Sequence, residues 1–258
     1  MSDVGKCANC ARVIDGPEQK FCPACGQATP AHRIDWHFLG HELEHSVLHM
    51  DRGVLYSLKE LMLRPGHLMR AYLDGQRAKQ VKPLLLIMMS AAAVVLLSKY
   101  LGGGDVLGGM EATTNHAADL SGPLATVSRS IGDWMNAYFA MATLMLLPFE
   151  AAAFRLAFYR VGALNYPEWL VITAFLTVQT FVFWSIALLL QRWVPGASAW
   201  SVLVSSAYGV FSLMQLFRPY PRWKSLLRGV LGYGIFLVLS QVVLATFVLA
   251  AMAVAVKG

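Results

Sequence analysis

The fold of this chain is decided by the apolar run from Pro83 to Leu101, which reads PLLLIMMSAAAVVLLSKYL. Because about 20 helical residues cross the roughly 30 Å of hydrocarbon in a bilayer, a run of this length predicts a membrane-spanning helix. The composition agrees, since 57% of the 258 residues are hydrophobic and only 14% are charged. A soluble domain usually carries about a quarter charged residues. The sequence therefore predicts an integral membrane protein.

Four further apolar runs follow the first. They cover Trp134–Phe154, Trp169–Leu190, Trp200–Phe217 and Leu226–Val256. Together the runs predict an all-α transmembrane domain over residues 83–258 with about five membrane-spanning helices, although four or six also fit. The last run would be about 46 Å long as one helix, so it must tilt, kink or begin along the interface.

The basic residues predict the orientation, because cytoplasmic loops collect Lys and Arg. They precede the first run and follow the second and the fourth: Arg64, Arg70, Arg77, Lys79, Lys82, Arg155, Arg160, Arg218, Arg222, Lys224 and Arg228. The connection from Gly102 to Asp133 is instead mainly acidic. This pattern predicts a cytoplasmic N-terminus, an external C-terminus, and anionic lipid headgroups close to Arg64–Lys82.

All four cysteines lie near the N-terminus, in the pairs Cys7-Ala-Asn-Cys10 and Cys22-Pro-Ala-Cys25. Two Cys-x-x-Cys pairs at this separation can close a tetrahedral site of four thiolates around a structural zinc ion. The sequence thus predicts a zinc ribbon over residues 1–30. A redox pair is the alternative, but two pairs without a βαβ pattern disfavour it, and a reducing cytoplasm disfavours disulfides.

The partner of this ribbon is predicted to be a protein. Residues 1–30 carry three basic and three acidic side chains, so their formal charges cancel. A nucleic-acid surface needs an excess of positive charge. The sequence therefore predicts a protein-docking or stabilising module that does not bind nucleic acid.

Residues 31–82 are predicted to form amphipathic juxtamembrane helices that make an elbow before the first span. Within them His37, His41, His45 and His49 recur at every fourth position, which places them on one stripe of a helix from Trp36 to Met50. Either this stripe is a solvated polar face, or it is a second metal or proton-responsive site.

The same stripe contains the sequence His41-Glu42-Leu-Glu-His45, which matches the His-Glu-x-x-His motif of zinc peptidases. In such a site the two histidines bind zinc and Glu42 activates water. A third ligand is not evident, although His37, His49 and His67 are available. A membrane metallopeptidase is therefore an alternative function.

Three polar residues interrupt the apolar runs, namely Glu150, Gln179 and Gln241. An ionisable residue in a span is a functional candidate, but Glu150 lies close to Arg155 and to the end of its run. We expect an ion pair with Arg155 or exposure at the interface. The two glutamines are expected to hydrogen-bond between helices. A polar cleft near Glu150 would instead indicate a transporter of small molecules or lipids.

The stretches Cys22–Gln27, His49–Gly66 and Tyr72–Arg77 together resemble an uncharacterised bacterial family. Its members have an N-terminal zinc ribbon fused to a multi-pass inner-membrane domain. The resemblance implies a bacterial inner membrane, and it implies no reaction. Ala11 departs from the pattern, because a glycine is expected after the first cysteine pair.

The most economical interpretation is a non-enzymatic scaffold or regulator whose ribbon and elbow recruit another protein. The sequence leaves the oligomeric state open.

Overall fold

The computed structural model describes residues 5–14, 19–45, 53–101, 106, 123–194 and 196–255. Within these residues the regular secondary structure is helical, and two isolated antiparallel bridges pair Lys6 with Val13 and Phe21 with Ala28. In chain order the described helices are α1 (Trp36–His45), α2 (Val54–Leu63), α3 (Pro65–Leu73), α4 (Pro83–Leu101), α5 (Pro123–Ala137), α6 (Phe139–Ala157), α7 (Tyr166–Leu190), α8 (Ala197–Leu216) and α9 (Arg222–Ala255).

Four of these helices are long and apolar enough to cross a bilayer: α4, α6, α7 and the Arg222–Ala250 part of α9. The prediction of a multi-pass membrane protein is thus confirmed. The predicted span over Trp200–Phe217 lies in α8, whose apolar stretch Trp200–Leu216 is shorter than the other four. The count of five spans therefore stays a prediction.

The second predicted run, from Trp134, is divided by a break at Tyr138. Helix α5 ends at Ala137 and α6 begins at Phe139. The apolar pattern missed this break because Trp134 and Tyr138 are both compatible with a span.

Helix α7 is the centre of the bundle. It is apolar on all sides, which is the pattern of a helix surrounded by others, and 67% of its most apolar window is buried, against 0% for α9. Helices α4, α6 and α8 pack around it. At its first turn Trp169 meets Phe158 and Phe217 at ring-centroid distances of 5.6 and 5.9 Å. These rings tie the ends of α6 and α8 to the start of α7.

The two short helices α2 and α3 are joined to the bundle near the turn between them. The Gly66 amide donates to Gln215 Oε1 at 3.2 Å, and Arg70 Nη2 donates to the Leu216 carbonyl at 2.7 Å. The Tyr208 hydroxyl donates to the Met62 carbonyl. Helices α2 and α3 are therefore packed against α8, whereas a position at the membrane surface stays a prediction.

The close approach of α3 to α8 requires glycine at position 66. A Cβ atom there would lie 2.3 Å from Gln215 Cβ and 2.5 Å from the Leu216 amide nitrogen. Because the three nearest atoms are all backbone or Cβ atoms, a side chain can be admitted only if the two helices separate.

We predict that Gly66→Ala lowers the free energy of unfolding by about 2–3 kcal/mol, the cost of forcing an extra group into a packed contact. The thermal unfolding midpoint of the detergent-solubilised protein measures this. Gly40→Ala in α1 is the matched control, since a Cβ at Gly40 meets nothing within 4 Å and alanine favours helix. Equal midpoints for the two variants would contradict the packing described here.

Candidate metal centre

The four cysteine sulfurs lie together, all within 4.8 Å of one another. Cys7 Sγ is 3.6 Å from Cys25 Sγ, and Cys10 Sγ is 3.5 Å from Cys22 Sγ. Four sulfurs bound tetrahedrally to zinc at about 2.3 Å would be separated by about 3.8 Å. The predicted four-cysteine cluster is thus confirmed, and its geometry fits a metal ion after small adjustments.

The two cysteine pairs are built in the same way. The Cys7 amide donates to the Arg12 carbonyl and the Ala11 amide to the Cys7 carbonyl, at 2.8 and 2.9 Å. The second pair repeats both bonds, from Cys22 to Gln27 and from Gly26 to Cys22, each at 2.8 Å. Each pair is therefore a closed loop that presents two thiols to the centre.

The loops also point backbone amides at sulfur. The backbone amide of Gln27 donates to the Cys25 sulfur and lowers the pKa of this thiol to about 6. The thiolate is the form that binds metals. The backbone therefore prepares Cys25 to be a ligand.

The described residues of the cysteine module bury few apolar side chains. Among the described residues between 5 and 30, the buried apolar side chains are those of Cys7 and Cys22. A segment this short cannot remain folded without a metal or other cross-link. The cluster is therefore the centre of the module's structure, although the ribbon fold itself stays a prediction.

One side of the module rests on the segment between α3 and α4. The buried Gln27 side chain accepts a hydrogen bond from the Arg77 amide at 2.9 Å, and Arg77 Nη2 donates to the His32 carbonyl at 3.3 Å. At Gly75 a Cβ atom would lie 2.9 Å from Ala31 Cβ and 3.6 Å from Ala8 Cβ. The module is therefore seated on this segment through direct contacts.

The linker that follows the module is joined to the start of α7. Arg33 Nε and Nη2 donate to the two Glu168 carboxylate oxygens at 2.7 and 2.8 Å. The Asn165 side-chain amide donates to the Ile34 carbonyl at 2.7 Å, and Ile34 is fully buried. A two-pronged pair of this kind fixes orientation as well as distance.

The same carboxylate closes the helix cap. Glu168 Oε2 accepts from the Asn165 amide at 2.7 Å, while Asn165 Oδ1 accepts from the Glu168 amide at 2.8 Å. This is a capping box, which satisfies amides that the first turn leaves unpaired. The spacing Asn-x-x-Glu reveals the cap in the sequence, whereas nothing in the sequence reveals the pair with Arg33.

Only the first part of the histidine stripe lies in the described helix α1. Asp35 Oδ1 caps α1 by accepting from the Phe38 amide at 2.7 Å, and His37 is exposed. The backbone of His41, Glu42 and His45 is helical, but their side chains and His49 lie outside the described residues. The second metal or proton site and the peptidase motif both stay predictions.

Glu150 is placed differently from the expectation. Its side chain is buried, with 8% exposed, and it accepts a hydrogen bond from the Thr177 hydroxyl at 3.1 Å. Arg155 instead lies over the Tyr166 ring, 5.9 Å from its centroid. The predicted pairing or interfacial exposure is wrong, because residues five apart on a helix point about 140° apart.

Gln179 makes the predicted bond between helices. Its side-chain amide donates to the Ser212 hydroxyl at 3.0 Å and to the Leu61 carbonyl at 3.2 Å. The Ser212 hydroxyl is 3.1 Å from Gln179 Oε1. The Gln179 side chain is thus fully buried and hydrogen-bonded to α2 and α8, so it does not line an open cleft.

Comparison with known proteins shows that one part of the chain is similar to a family of unknown function. Residues 51–94 match the model of a family described as "Protein of unknown function (DUF3667)". This range covers α2, α3 and the first part of α4, and the cysteine cluster lies before it. No curated protein and no solved structure matches the chain. The similarity supports the predicted resemblance over these residues and adds no activity.

The first cysteine loop contains a strained residue. Ala11 has a φ of 59°, and Gly26, at the same place in the second loop, has a φ of 73°. This left-handed conformation costs a residue with a Cβ about 1–2 kcal/mol, whereas glycine adopts it freely.

We predict that Ala11→Gly strengthens zinc binding about fivefold, since binding and folding of the module are coupled and about 1 kcal/mol of strain is removed. Gly26→Ala should weaken binding by a similar factor, although a Cβ there meets nothing within 4 Å. Competition against a chromogenic chelator gives both affinities. If neither substitution changes the affinity, the two loops are not the metal-binding element.

We predict that Arg33→Ala weakens the attachment of the module by about 1–2 kcal/mol, because charged hydrogen bonds are lost while the exposed arginine is partly screened. Hydrogen exchange at residues 31–38 should become several-fold faster. Arg33→Lys keeps the charge without the two-pronged geometry and should give an intermediate rate. Arg12→Ala, an exposed arginine in the module itself, is the control and should leave exchange at residues 31–38 unchanged.

Proposed function

We propose that this chain is a non-enzymatic scaffold or regulator of the bacterial inner membrane, in which a zinc-bound cysteine module presents a docking face to another protein. The observation that carries the proposal is the two-sided character of the module. Gln27 and the linker residues Ala31 and Arg33 engage the rest of the chain. Val13 and Phe21, in contrast, are 62% and 64% exposed.

Zinc is the ion that this donor set favours. Four thiolates in a closed tetrahedral arrangement suit zinc, whereas calcium and magnesium require oxygen ligands. The four ligands are Cys7, Cys10, Cys22 and Cys25. With all positions taken by protein, such a site supplies structure and has no open position for a substrate.

The remaining residues give the scaffold its position. The basic side chains next to the spans, including those from Arg64 to Lys82, support a cytoplasmic module close to anionic headgroups. The pair of Arg33 with Glu168 then holds the module at a fixed place relative to the helices. A partner bound at Val13 and Phe21 would be held at that place too. Contiguous exposed apolar patches mark interaction surfaces, and Val13 and Phe21 would form the apolar part of this one.

We predict one zinc ion per purified chain, lost when Cys7 and Cys22 are both replaced by serine.

In cells, a photo-crosslinking amino acid at position 21 should give one discrete adduct, which disappears in the same double serine variant. Position 55 is the control, since Leu55 is 80% exposed and belongs to α2, outside residues 1–30 of the module.

Two outcomes would contradict the proposal. A second zinc ion per chain would assign a metal to the histidine stripe. Equal adducts at positions 21 and 55, or none at position 21, would show that the exposed face of the module is not a docking face.

A further inference from the structure

Beyond Tyr233, the apolar part of α9 carries three polar side chains, and two of them are satisfied within the helix. The Ser240 hydroxyl donates to the Leu237 carbonyl at 2.9 Å, and the Thr246 hydroxyl donates to the Val242 carbonyl at 2.7 Å. Such bonds to a preceding turn are available to short hydroxyl side chains. The third is Gln241, which is exposed, and the described residues supply no hydrogen-bond partner for its amide.

Gln241 lies at membrane depth. Arg228 marks the start of the apolar part of α9, where its guanidinium donates to the Ala157 carbonyl at 2.8 Å, at the end of α6. The helix from Arg228 to Gln241 is about 20 Å long at 1.5 Å per residue. Since the hydrocarbon is about 30 Å thick, Gln241 faces lipid tails and has no water to bond.

An amide in hydrocarbon without a partner is costly, and transmembrane glutamines hydrogen-bond across helices for this reason. Gln179 shows the rule within this chain, because its amide is shared between Ser212 and Leu61. Gln241 carries the same carboxamide, but its side chain is exposed on the surface of α9. Its partner must therefore come from outside the described chain.

The face around Gln241 is open to another helix. Gly234, Val238, Ala245 and Leu249 lie on the same side of α9 as Gln241, at spacings of three and four residues, and all are exposed. A Cβ atom at Gly234 would meet nothing within 4 Å. A second helix can thus approach closely there, as small residues permit in membranes.

We propose that this face of α9 binds the same face of a second copy of the chain, forming a parallel two-fold dimer. Copies inserted in the same orientation bring Gln241 to the same depth. A carboxamide carries both donors and an acceptor, so the two Gln241 side chains complement each other across the two-fold axis. An isologous contact of this kind closes as a dimer.

The test is energy transfer between donor- and acceptor-labelled copies of the full chain in lipid vesicles, with fluorescent proteins fused at the N-terminus. Wild-type protein should show transfer that falls as unlabelled chain is added. Gln241→Leu should raise the dimer dissociation constant about tenfold, since interhelical hydrogen bonds in model peptides contribute about 1–2 kcal/mol. Gln241→Asn should retain most of it.

Two further variants separate this contact from general effects on the helix. Thr246→Val removes a polar group that is satisfied within α9, so dimerisation should be unchanged. Gly234→Leu adds bulk on the proposed face and should weaken it. The proposal is overturned if wild-type protein shows no transfer at any lipid dilution, or if Gln241→Leu dimerises as strongly as wild type.

Discussion

The structure depends on one constraint: hydrocarbon offers no hydrogen bonds, so a polar group in the bundle that lacks a partner in protein is costly. The constraint selects helices for the backbone. It also explains the polar side chains on the central helix α7, where Thr177 donates to Glu150 and Gln179 bonds to Ser212. Each of these bonds joins α7 to a neighbour, so the polar groups fix which faces meet. Apolar packing alone would leave the rotation of one smooth helix against another poorly specified.

The module at the N-terminus obeys a different rule, because most of its described side chains are exposed and few of them are buried and apolar. Its order must come from the cysteine cluster and from contacts with the bundle. The Glu168 carboxylate is where the two parts meet, since it accepts from Arg33 and from the Asn165 amide together. The Glu168 side chain is almost completely buried, whereas the Arg33 side chain is mostly exposed. This pair can therefore hold the linker without the full cost of burying both charges.

The sequence was sufficient for features that depend on spacing or on length. Cys7, Cys10, Cys22 and Cys25 could be assigned to one cluster because two Cys-x-x-Cys pairs at this separation can close a tetrahedral site. Four of the five predicted apolar runs likewise correspond to helices long enough to span a membrane. The sequence was insufficient for side-chain contacts that depend on which helices are neighbours in space. Glu150 was expected beside Arg155 because the two are close in sequence, but the partner in space is Thr177, on another helix. The bond between Arg33 and Glu168 joins residues that are far apart in the chain, and no local pattern encodes it.

The contacts of Asn165 suggest how the module and the membrane domain influence each other. Its side-chain oxygen caps α7, and its side-chain nitrogen holds the Ile34 carbonyl of the linker. A single amide therefore cannot rotate to release the linker without also loosening the first turn of the central helix. The aromatic cluster of Phe158, Trp169 and Phe217 packs on that same turn. The linker contact, the helix cap and the ends of α6 and α8 therefore meet at the first turn of the central helix.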